Sequence, residues 1–234
     1  GIAPGSYVLT PLDPMRKALA RRLTESARDI PHFSLTVDLD VDALLAVRSQ
    51  VNAARAHDGI KVSVNDMLVK AVAMALVEVP AANASWTPVG IATHRHADIA
   101  IAVAVDNGLI TPIVRAAEQK TLLAIAQETA ELATRARTRR LAPEQFQGGT
   151  FSISNLGMFG VRSFNSILNP PQGCILSVGA AERRPVVTDV GLAAGTVMSV
   201  TLTCDHRVVD GATGARFLAA LRRLVQAPAA LLIQ

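Results

Sequence analysis

The chain has 234 residues, enough to bury a sizeable apolar core, and half of them are hydrophobic while only 18% are charged. That composition excludes a disordered protein. A net charge of +4 is ordinary for a globular protein, and aromatic residues make up only 3% of the chain, too few to stack the bases of a single-stranded nucleic acid. No apolar run approaches the ~18 residues of a membrane span. We therefore expect no membrane partner and, from the low aromatic content, no nucleic acid.

The N-terminal region divides into a short linker and the start of a folded domain. Residues 1–12 read as the remnant of a linker, so we place one folded domain at residues 13–234. From Asp13 the pattern is that of a helix that stops before Pro31. Four residues form its apolar face: Met15, Leu19, Leu23 and Ala27. Residues 33–39 then alternate apolar and polar side chains, which predicts a half-buried strand.

Two helices are predicted next. Asp42 is a candidate N-cap for a helix that runs to about His57. Ser63 or Asn65 can begin a second helix, which ends before Pro80. These residue types are favoured because their side-chain oxygens accept the unpaired N–H groups of the first helical turn.

The middle of the chain predicts a hairpin followed by a helix. In residues 98–105 alanines fill the gaps between larger apolar residues, which indicates a strand covered on both faces. Asp106-Asn107-Gly108 is a strong turn sequence, so residues 109–114 should return antiparallel. A long helix is then predicted over residues 122–140.

The C-terminal half is rich in strands. They are predicted at four places: residues 150–154, 174–178, 184–187 and 197–204. A last helix begins near Asp210. Helices mixed with mostly antiparallel strands predict a single α/β sandwich domain. Cys174 and Cys204 lie in apolar runs, so we expect two buried free thiols, as in a reducing compartment.

The sequence around His206 is the most specific chemical signal. An apolar strand ends at Cys204-Asp205-His206, and Asp210 begins a helix four residues later. A histidine at a strand end is held rigidly and can face a cleft. Imidazole, with an ordinary pKa of about 6.5, can take a proton from a thiol or hydroxyl at neutral pH. Since a lone histidine is more often a structural loop residue, its neighbours decide between the two interpretations.

Three further blocks accompany this histidine. They are GGTFSISNLGMFG at 148–160, ILNPPQGCILSVG at 167–179 and VAVDNGLITPIV at 103–114. With the opening helix and residues 30–33 they run through essentially the whole chain in order, and together they resemble the acyltransferase cores of the 2-oxoacid dehydrogenase complexes. A bare His-x-x-x-Asp-Gly would be a weak signal, because it recurs in other CoA-dependent acyltransferases and in peptide-condensing domains.

The resemblance implies a chloramphenicol-acetyltransferase-like fold. This is a two-layer α/β sandwich with a mixed, mostly antiparallel sheet, assembled as trimers with each active site between neighbouring subunits. Coenzyme A would enter from one end of a channel and the dihydrolipoyl thiol from the other. His206 matches the family's catalytic base, and Ser154 matches its oxyanion-binding hydroxyl, supplied by the adjacent subunit. Without the motif around it, Ser154 would be an ordinary strand-end hydroxyl.

Four more residues are candidates for the site. Asp210 is counted as catalytic in such families, but its cap position suggests that it orients the His206 loop, with Arg16 as its cationic partner. Arg16 has the alternative role of contacting a CoA phosphate, which suits a guanidinium. The sequence leaves both roles open. Asn155 and His32 are predicted near the cofactor, with a turn residue and a structural histidine as the respective alternatives.

No metal site is predicted. His94 and His96 would face one side of a strand, as two ligands of one metal ion must. A metal ion needs three or four ligands, however, and neither cysteine nor carboxylate partners lie at usable spacing.

Cores of this family act together with other components. The full-length chains carry a lipoyl domain and a partner-binding domain ahead of the core, and neither is recognisable here. We therefore expect an excised core, with a lipoyl arm supplied by another polypeptide as the alternative; in both cases the lipoyl group comes from a separate domain. The expected partners are identical subunits, as a lone trimer or a larger cage of trimers, together with that lipoyl domain, a 2-oxoacid decarboxylase and a dihydrolipoamide dehydrogenase. The expected location is the bacterial cytoplasm or the mitochondrial matrix. Residues 154–160 look most like members from pyruvate complexes, which implies acetyl transfer, with succinyl or branched-chain acyl transfer as alternatives.

Two other classes of function remain open. A free-standing acetyltransferase of a small hydroxyl compound would use the same histidine chemistry, although the opening helix and Asn169-Pro170-Pro171 favour a complex core. The second class is a non-catalytic trimeric scaffold, against which the intact His206 and Ser154 speak. The apolar tail at residues 229–233 is predicted to dock on a neighbouring subunit.

Overall fold

A computed structural model describes residues 1–105 and 108–233 of the chain. Its helices, in chain order, are α1 (Pro14–Asp29), α2 (Asp42–Ala54), α3 (Val64–Glu78), α4 (Leu122–Arg137) and α5 (Gly211–Gln226). Its strands are β1 (His32–Asp40), β2 (Ala84–Thr87), β3 (Gly90–Thr93), β4 (Ile99–Ile101), β5 (Val103–Val105), β6 (Gly108–Ile110), β7 (Ile113–Val114), β8 (Phe151–Asn155), β9 (Cys174–Thr188) and β10 (Gly191–Asp205). No helix in these two ranges is long and apolar enough to cross a membrane.

Six strands form one mixed sheet in the order β1-β10-β9-β8-β4-β7. Strand β8 lies parallel to β9 and to β4, and the other three pairs are antiparallel. Two separate hairpins, β2–β3 and β5–β6, complete the strand set. This topology confirms the predicted mixed, mostly antiparallel sheet of an α/β sandwich.

One face of the sheet carries the apolar core. Alternate residues of β1, β8, β9 and β10 point toward it, and helices α2, α3 and α5 supply the opposing side chains. The rings of Phe151 in β8 and Phe217 in α5 meet there at 5.3 Å. Cys174 and Cys204 lie in the same core as free, buried thiols, with sulfurs 3.6 Å apart, as expected from their apolar surroundings.

The opposite face of the sheet carries hydroxyl groups. Strand pairing aligns four of them in one row across the sheet: Ser154, Ser177, Thr201 and Thr36. The segment 156–173 covers part of this row, and the Ser166 and Ser177 hydroxyls are 2.7 Å apart. Helix α1 packs on that segment, since the Ser26 hydroxyl donates to the Leu168 carbonyl at 2.7 Å.

Two strand predictions were wrong in extent. The strand predicted over residues 98–105 is two strands, because the chain leaves the main sheet at Ala102 and β5 pairs only with β6. On the returning side Pro112 has no N–H to donate, which interrupts the pairing. Conversely, the strands predicted at 174–178 and 184–187 are one strand, β9, because the residues between them continue the pairing with β10. The turn residues Asp106 and Asn107 lie outside the described residues, and their flanks pair antiparallel as predicted.

Side-chain caps begin four of the five helices. Asp13, Ser63, Thr121 and Asp210 each accept a backbone N–H at the start of α1, α3, α4 and α5. The prediction that Asp42 caps α2 was wrong, because β1 runs on to Asp40 and the buried Val41 takes the N-cap position without a side-chain hydrogen bond. Asp42 lies within the first turn, where its carboxylate accepts the Thr196 N–H at 3.2 Å and ties α2 to β10.

The C-terminal tail forms a short 3-10 helix, Pro228–Leu232. Leu231 is fully buried in the chain's own core, so part of the tail docks internally. Leu232 and Ile233 are exposed, and their docking on a neighbouring subunit stays a prediction.

Candidate active site

Strand β10 delivers His206 to one end of the sheet. The residue directly follows the last strand position, and its N–H donates to the carbonyl of Pro31 at 3.0 Å, just before β1. Its exposed imidazole leans against Phe33 of β1, with ring centroids 4.4 Å apart. The strand end, the backbone bond and the ring contact together hold the imidazole where an incoming substrate can reach it, as a general base requires.

Asp205 and Arg207 flank His206 and are joined by a bidentate ion pair. Nη2 and Nε of Arg207 lie 2.8 and 3.0 Å from the two carboxylate oxygens of Asp205, which is itself buried. This hydrogen bonding raises the pKa of the Arg207 guanidinium above its ordinary value. The guanidinium also stacks on the indole of Trp86 in β2, 4.4 Å from the ring centroid. Sequence reasoning missed this group, although opposite charges on both sides of a motif histidine were a visible signal.

Asp210 is the N-cap of α5, as its position in the sequence predicted. Its carboxylate accepts the Thr213 N–H at 2.7 Å, and this bond lowers the pKa of the Asp210 carboxyl below its usual value. The positive charge of Arg216 lowers the pKa of Asp210 further. Arg216 is thus a cationic neighbour of Asp210 within the chain, and the pairing of Asp210 with Arg16 stays a prediction. Arg16 lies near the start of α1, roughly 20 Å of helix from the end that leads toward the His206 loop.

Ser154 lies near the end of β8 and lines a cleft of about 670 Å³. The cleft is bounded by β8, by the β5–β6 hairpin and by residues at the start of α3 and along α4. Lys61 and Arg137 place positive charge on its walls, and Met158 and Phe159 contribute exposed apolar surface. A half-buried hydroxyl at such a cleft can donate to an oxygen atom of a bound molecule.

Two of the predicted cofactor contacts, Asn155 and His32, make hydrogen bonds within the chain. The side-chain oxygen Oδ1 of Asn155 accepts the Gly157 N–H at 2.9 Å, which makes Asn155 a turn residue at the edge of the cleft. Nδ1 of His32 lies 2.8 Å from the Ile30 carbonyl and must carry the proton, while Nε2 accepts the Leu168 N–H at 3.0 Å. Both ring nitrogens of His32 are therefore used in hydrogen bonds within the chain, and its predicted contact with the cofactor stays a prediction.

Ser154 and His206 lie far apart within one chain. Strand register aligns Ser154 with Thr201 two strands away, and His206 follows Thr201 by five residues. At about 3.3 Å per residue along a strand and about 4.8 Å between strands, the two residues are about 19 Å apart. A single chain therefore does not bring the predicted base and the predicted oxyanion donor together.

The two histidines weighed as metal ligands make hydrogen bonds to other side chains. Nε2 of His94 lies 2.8 Å from the Ser85 hydroxyl, and burial lowers the pKa of His94. Nδ1 of His96 lies 2.7 Å from a carboxylate oxygen of Glu118. Across residues 1–105 and 108–233, no three His, Cys, Asp or Glu side chains are grouped so that they could hold a metal ion.

Residues 4–233 match the family model of the 2-oxoacid dehydrogenase acyltransferase catalytic domain. The chain is 52% identical to the dihydrolipoyllysine-residue acetyltransferase component of the pyruvate dehydrogenase complex of Rhizobium meliloti (strain 1021), over 98% of this chain and 52% of the relative. It is 46% identical to the mitochondrial component of that name from Caenorhabditis elegans, over 97% of this chain and 46% of the relative. The chain thus spans about half the length of the curated relatives it matches.

Solved structures of related proteins share the fold of this chain. The dihydrolipoamide acetyltransferase of Azotobacter vinelandii is 34% identical and matches with a TM-score of 0.93, over 98% of this chain and 96% of that one. A chloramphenicol acetyltransferase, only 14% identical, shares the fold with a TM-score of 0.52 over 88% of this chain and 94% of that one. These likenesses confirm the predicted fold class. From the extent of the family match and of the sequence identity, the chain belongs to the acyltransferase family of the 2-oxoacid dehydrogenase complexes, of which it represents the catalytic domain.

Proposed function

We propose that the chain transfers an acetyl group between a dihydrolipoyl thiol and coenzyme A, as the core of a pyruvate dehydrogenase complex. The names of its relatives support this, since the Rhizobium protein is the acetyltransferase component of such a complex. Because the chain spans about half of that relative, the lipoyl group would come from a separate lipoyl domain. Residues 13–234 would form the catalytic domain, and residues 1–12 the end of a linker.

The observation that carries the proposal is the arrangement of Ser154, His206 and Asp210. In the Azotobacter vinelandii dihydrolipoamide acetyltransferase, a serine, a histidine and an asparagine have been investigated for their role in the catalytic mechanism. The separations between those three residues, 52 and 4 positions, equal the separations between Ser154, His206 and Asp210. An aspartate here takes the place of that asparagine, and both residue types are good helix N-caps.

In the proposed reaction, His206 takes the proton of the attacking thiol, and the thiolate sulfur bonds to the carbonyl carbon of the thioester. The C=O electron pair moves to oxygen, and the Ser154 hydroxyl donates a hydrogen bond to the resulting oxyanion. The carbon–sulfur bond to the second thiol then breaks, and protonated His206 returns the proton to that sulfur. One oxyanion donor of this kind contributes about 3 kcal/mol to transition-state stabilisation.

The separation of Ser154 and His206 supports a site shared between subunits. At about 19 Å, a hydroxyl cannot reach an oxyanion that forms beside the imidazole of its own chain. We therefore infer a trimer in which His206 of one subunit faces Ser154 of the next. The exposed apolar Leu232 and Ile233 offer further surface for contact with neighbouring subunits.

For coenzyme A we propose the cleft beside Ser154. Its positive wall residues, Lys61 and Arg137, suit a ligand that carries phosphates, and Arg16 remains a predicted phosphate contact. Asn155 keeps its amide N–H groups for the ligand, because its turn uses only the carbonyl oxygen. Other proposed partners are the decarboxylase and dihydrolipoamide dehydrogenase components, in the bacterial cytoplasm or the mitochondrial matrix.

The proposal is tested by supplying acetyl-, succinyl- and isobutyryl-CoA in turn to the chain with free dihydrolipoamide as acceptor. We expect acetyl transfer to be fastest and His206→Ala to lower it at least ~100-fold, the usual contribution of a general base, while the oligomer stays intact. A faster reaction with succinyl- or isobutyryl-CoA would show that the transferred group is not acetyl. Acetylation of a small hydroxyl compound without transfer to dihydrolipoamide would overturn the proposal, as would near-normal turnover by His206→Ala.

A further inference from the structure

The loop that carries His206 rests on an aromatic ring from a distant part of the chain. Trp86, the only tryptophan in the sequence, lies on the β2–β3 hairpin, and 42% of its surface is exposed. Arg207, which directly follows His206, places its guanidinium over this indole, 4.4 Å from the ring centroid. The contact joins residues that are 121 positions apart in the sequence.

Backbone hydrogen bonds join the same two regions by a second route. The Gly173 N–H donates to the Ala84 carbonyl of β2 at 3.1 Å, and the Gly173 carbonyl accepts the Asp205 N–H at 2.9 Å. The side-chain route runs from Asp205 through its ion pair to Arg207 and from there to Trp86. The two sequence neighbours of His206 are therefore both connected to the β2–β3 hairpin, Asp205 through the backbone of Gly173 and Arg207 through the ring of Trp86.

The chemistry of Arg207 explains why an aromatic ring is needed at this place. The edge of a guanidinium can form a bidentate pair with a carboxylate while its flat face stacks on a ring, and an ammonium group cannot do both. The Nε–Nη2 edge of Arg207 is used by Asp205, and Trp86 contacts one flat face of the guanidinium. Without Trp86 that face would lose its aromatic partner, and Arg207 would be held by its ion pair with Asp205 and by the weaker attraction of Asp29.

We propose that Trp86 is a positioning residue for His206, which it fixes by holding Arg207 against its indole. The proposal rests on the proposed function, in which His206 is the catalytic base. It assigns Trp86 no contact with substrate. Its effect is expected on kcat, because a base that is displaced in the free enzyme is displaced equally after the substrates have bound.

The test compares Trp86→Leu with Trp86→Phe in the intact oligomer. Trp86→Leu should lower kcat roughly tenfold and leave KM for acetyl-CoA and dihydrolipoamide within about twofold. Trp86→Phe keeps an aromatic face and should restore most of the loss. In an Arg207→Lys background, Trp86→Leu should add little further loss, because the stack is already gone. Val89→Ala, at a fully exposed position next to the same hairpin, is the matched control and should behave as wild type.

Several results would overturn the proposal. These are a normal kcat for Trp86→Leu, a loss confined to KM, an equal loss in Trp86→Phe, or a loss that sedimentation attributes to a dissociated oligomer. The stack itself is tested without any activity, because all tryptophan fluorescence of the chain comes from Trp86. Arg207→Lys should change that emission and the exposed Arg222→Lys should not. If the wild type transfers no acyl group, the proposed function fails. An unchanged emission in Arg207→Lys would separately reject the stack of Arg207 on Trp86.

Discussion

Replacing Gly173 by alanine should damage the site through the backbone, although no functional side chain is altered. Gly173 lies where β9 begins, between the Ala84 carbonyl of β2 and the N–H of Asp205. An added Cβ would lie 2.4 Å from the Ala84 carbonyl oxygen. Since non-bonded carbon and oxygen atoms settle about 1 Å farther apart than that, the two strands must separate by nearly this amount.

The cost follows from that displacement. Overpacking of this size destabilises a protein by about 2 kcal/mol, which for a domain of this length lowers Tm by roughly 5 °C. Because the Gly173 carbonyl holds the Asp205 N–H, the shift passes to the residue before His206. A displacement of about 1 Å at a catalytic group can lower kcat by about 100-fold.

The assay combines thermal unfolding with the kinetics of acetyl transfer to dihydrolipoamide. Gly211→Ala is the control, because a Cβ at Gly211 meets no atom within 4 Å and the residue begins a helix. We expect this control to keep the wild-type Tm, or to exceed it slightly, and to keep its kcat. The reasoning is refuted if Gly173→Ala matches wild type in both measurements, or if Gly211→Ala is equally impaired.

Three further predictions follow from individual contacts. Ser154→Ala should lower kcat by about 100- to 1,000-fold with unchanged KM in steady-state kinetics, and a loss seen only in KM would contradict the oxyanion role. The lowered pKa of Asp210 means that its carboxylate stabilises the fold above the usual carboxyl pKa and that this stabilisation is lost as the pH falls through the folded-state value. Asp210→Asn keeps the cap without titrating, so its Tm should fall less than that of wild type below about pH 4, and parallel curves would contradict this. Lys70→Met should lower the free energy of unfolding, measured in urea, by about 2 kcal/mol. The fully buried ammonium donates to two backbone carbonyls, at 2.8 and 2.7 Å, which would lose their donor. Unchanged stability would contradict this, because it would mean that both carbonyls find another donor.

Short-range sequence patterns predicted many of the helices and strands. The caps at Ser63 and Asp210 and the alternation in β1 each depend on residues a few positions apart, so the pattern itself determines the structure. The prediction of a cap was wrong at Asp42. The strand before it continues one residue farther than the pattern indicated, and the buried Val41 takes the cap position.

Contacts between distant parts of the chain could not be predicted in the same way. The stack of Arg207 on Trp86 and the bond from the Leu168 N–H to His32 depend on how the sheet and its covering segment pack. The strand predicted at 98–105 divided because alanines fit either face and give no signal of the point at which a strand leaves the sheet. The distance between Ser154 and His206 within one chain likewise came from strand register, although the family resemblance had implied that Ser154 serves a neighbouring subunit.

The shared active site is tested most directly by mixing His206→Ala subunits with Ser154→Ala subunits after dissociation and reassembly. Each parent should be inactive alone, and sedimentation should show that mixed oligomers have formed. If His206 of one subunit works with Ser154 of the next, random equal mixing joins two intact partners at about a quarter of the sites, and that fraction of wild-type activity should return. A mixture that stays as inactive as its parents would contradict the shared site.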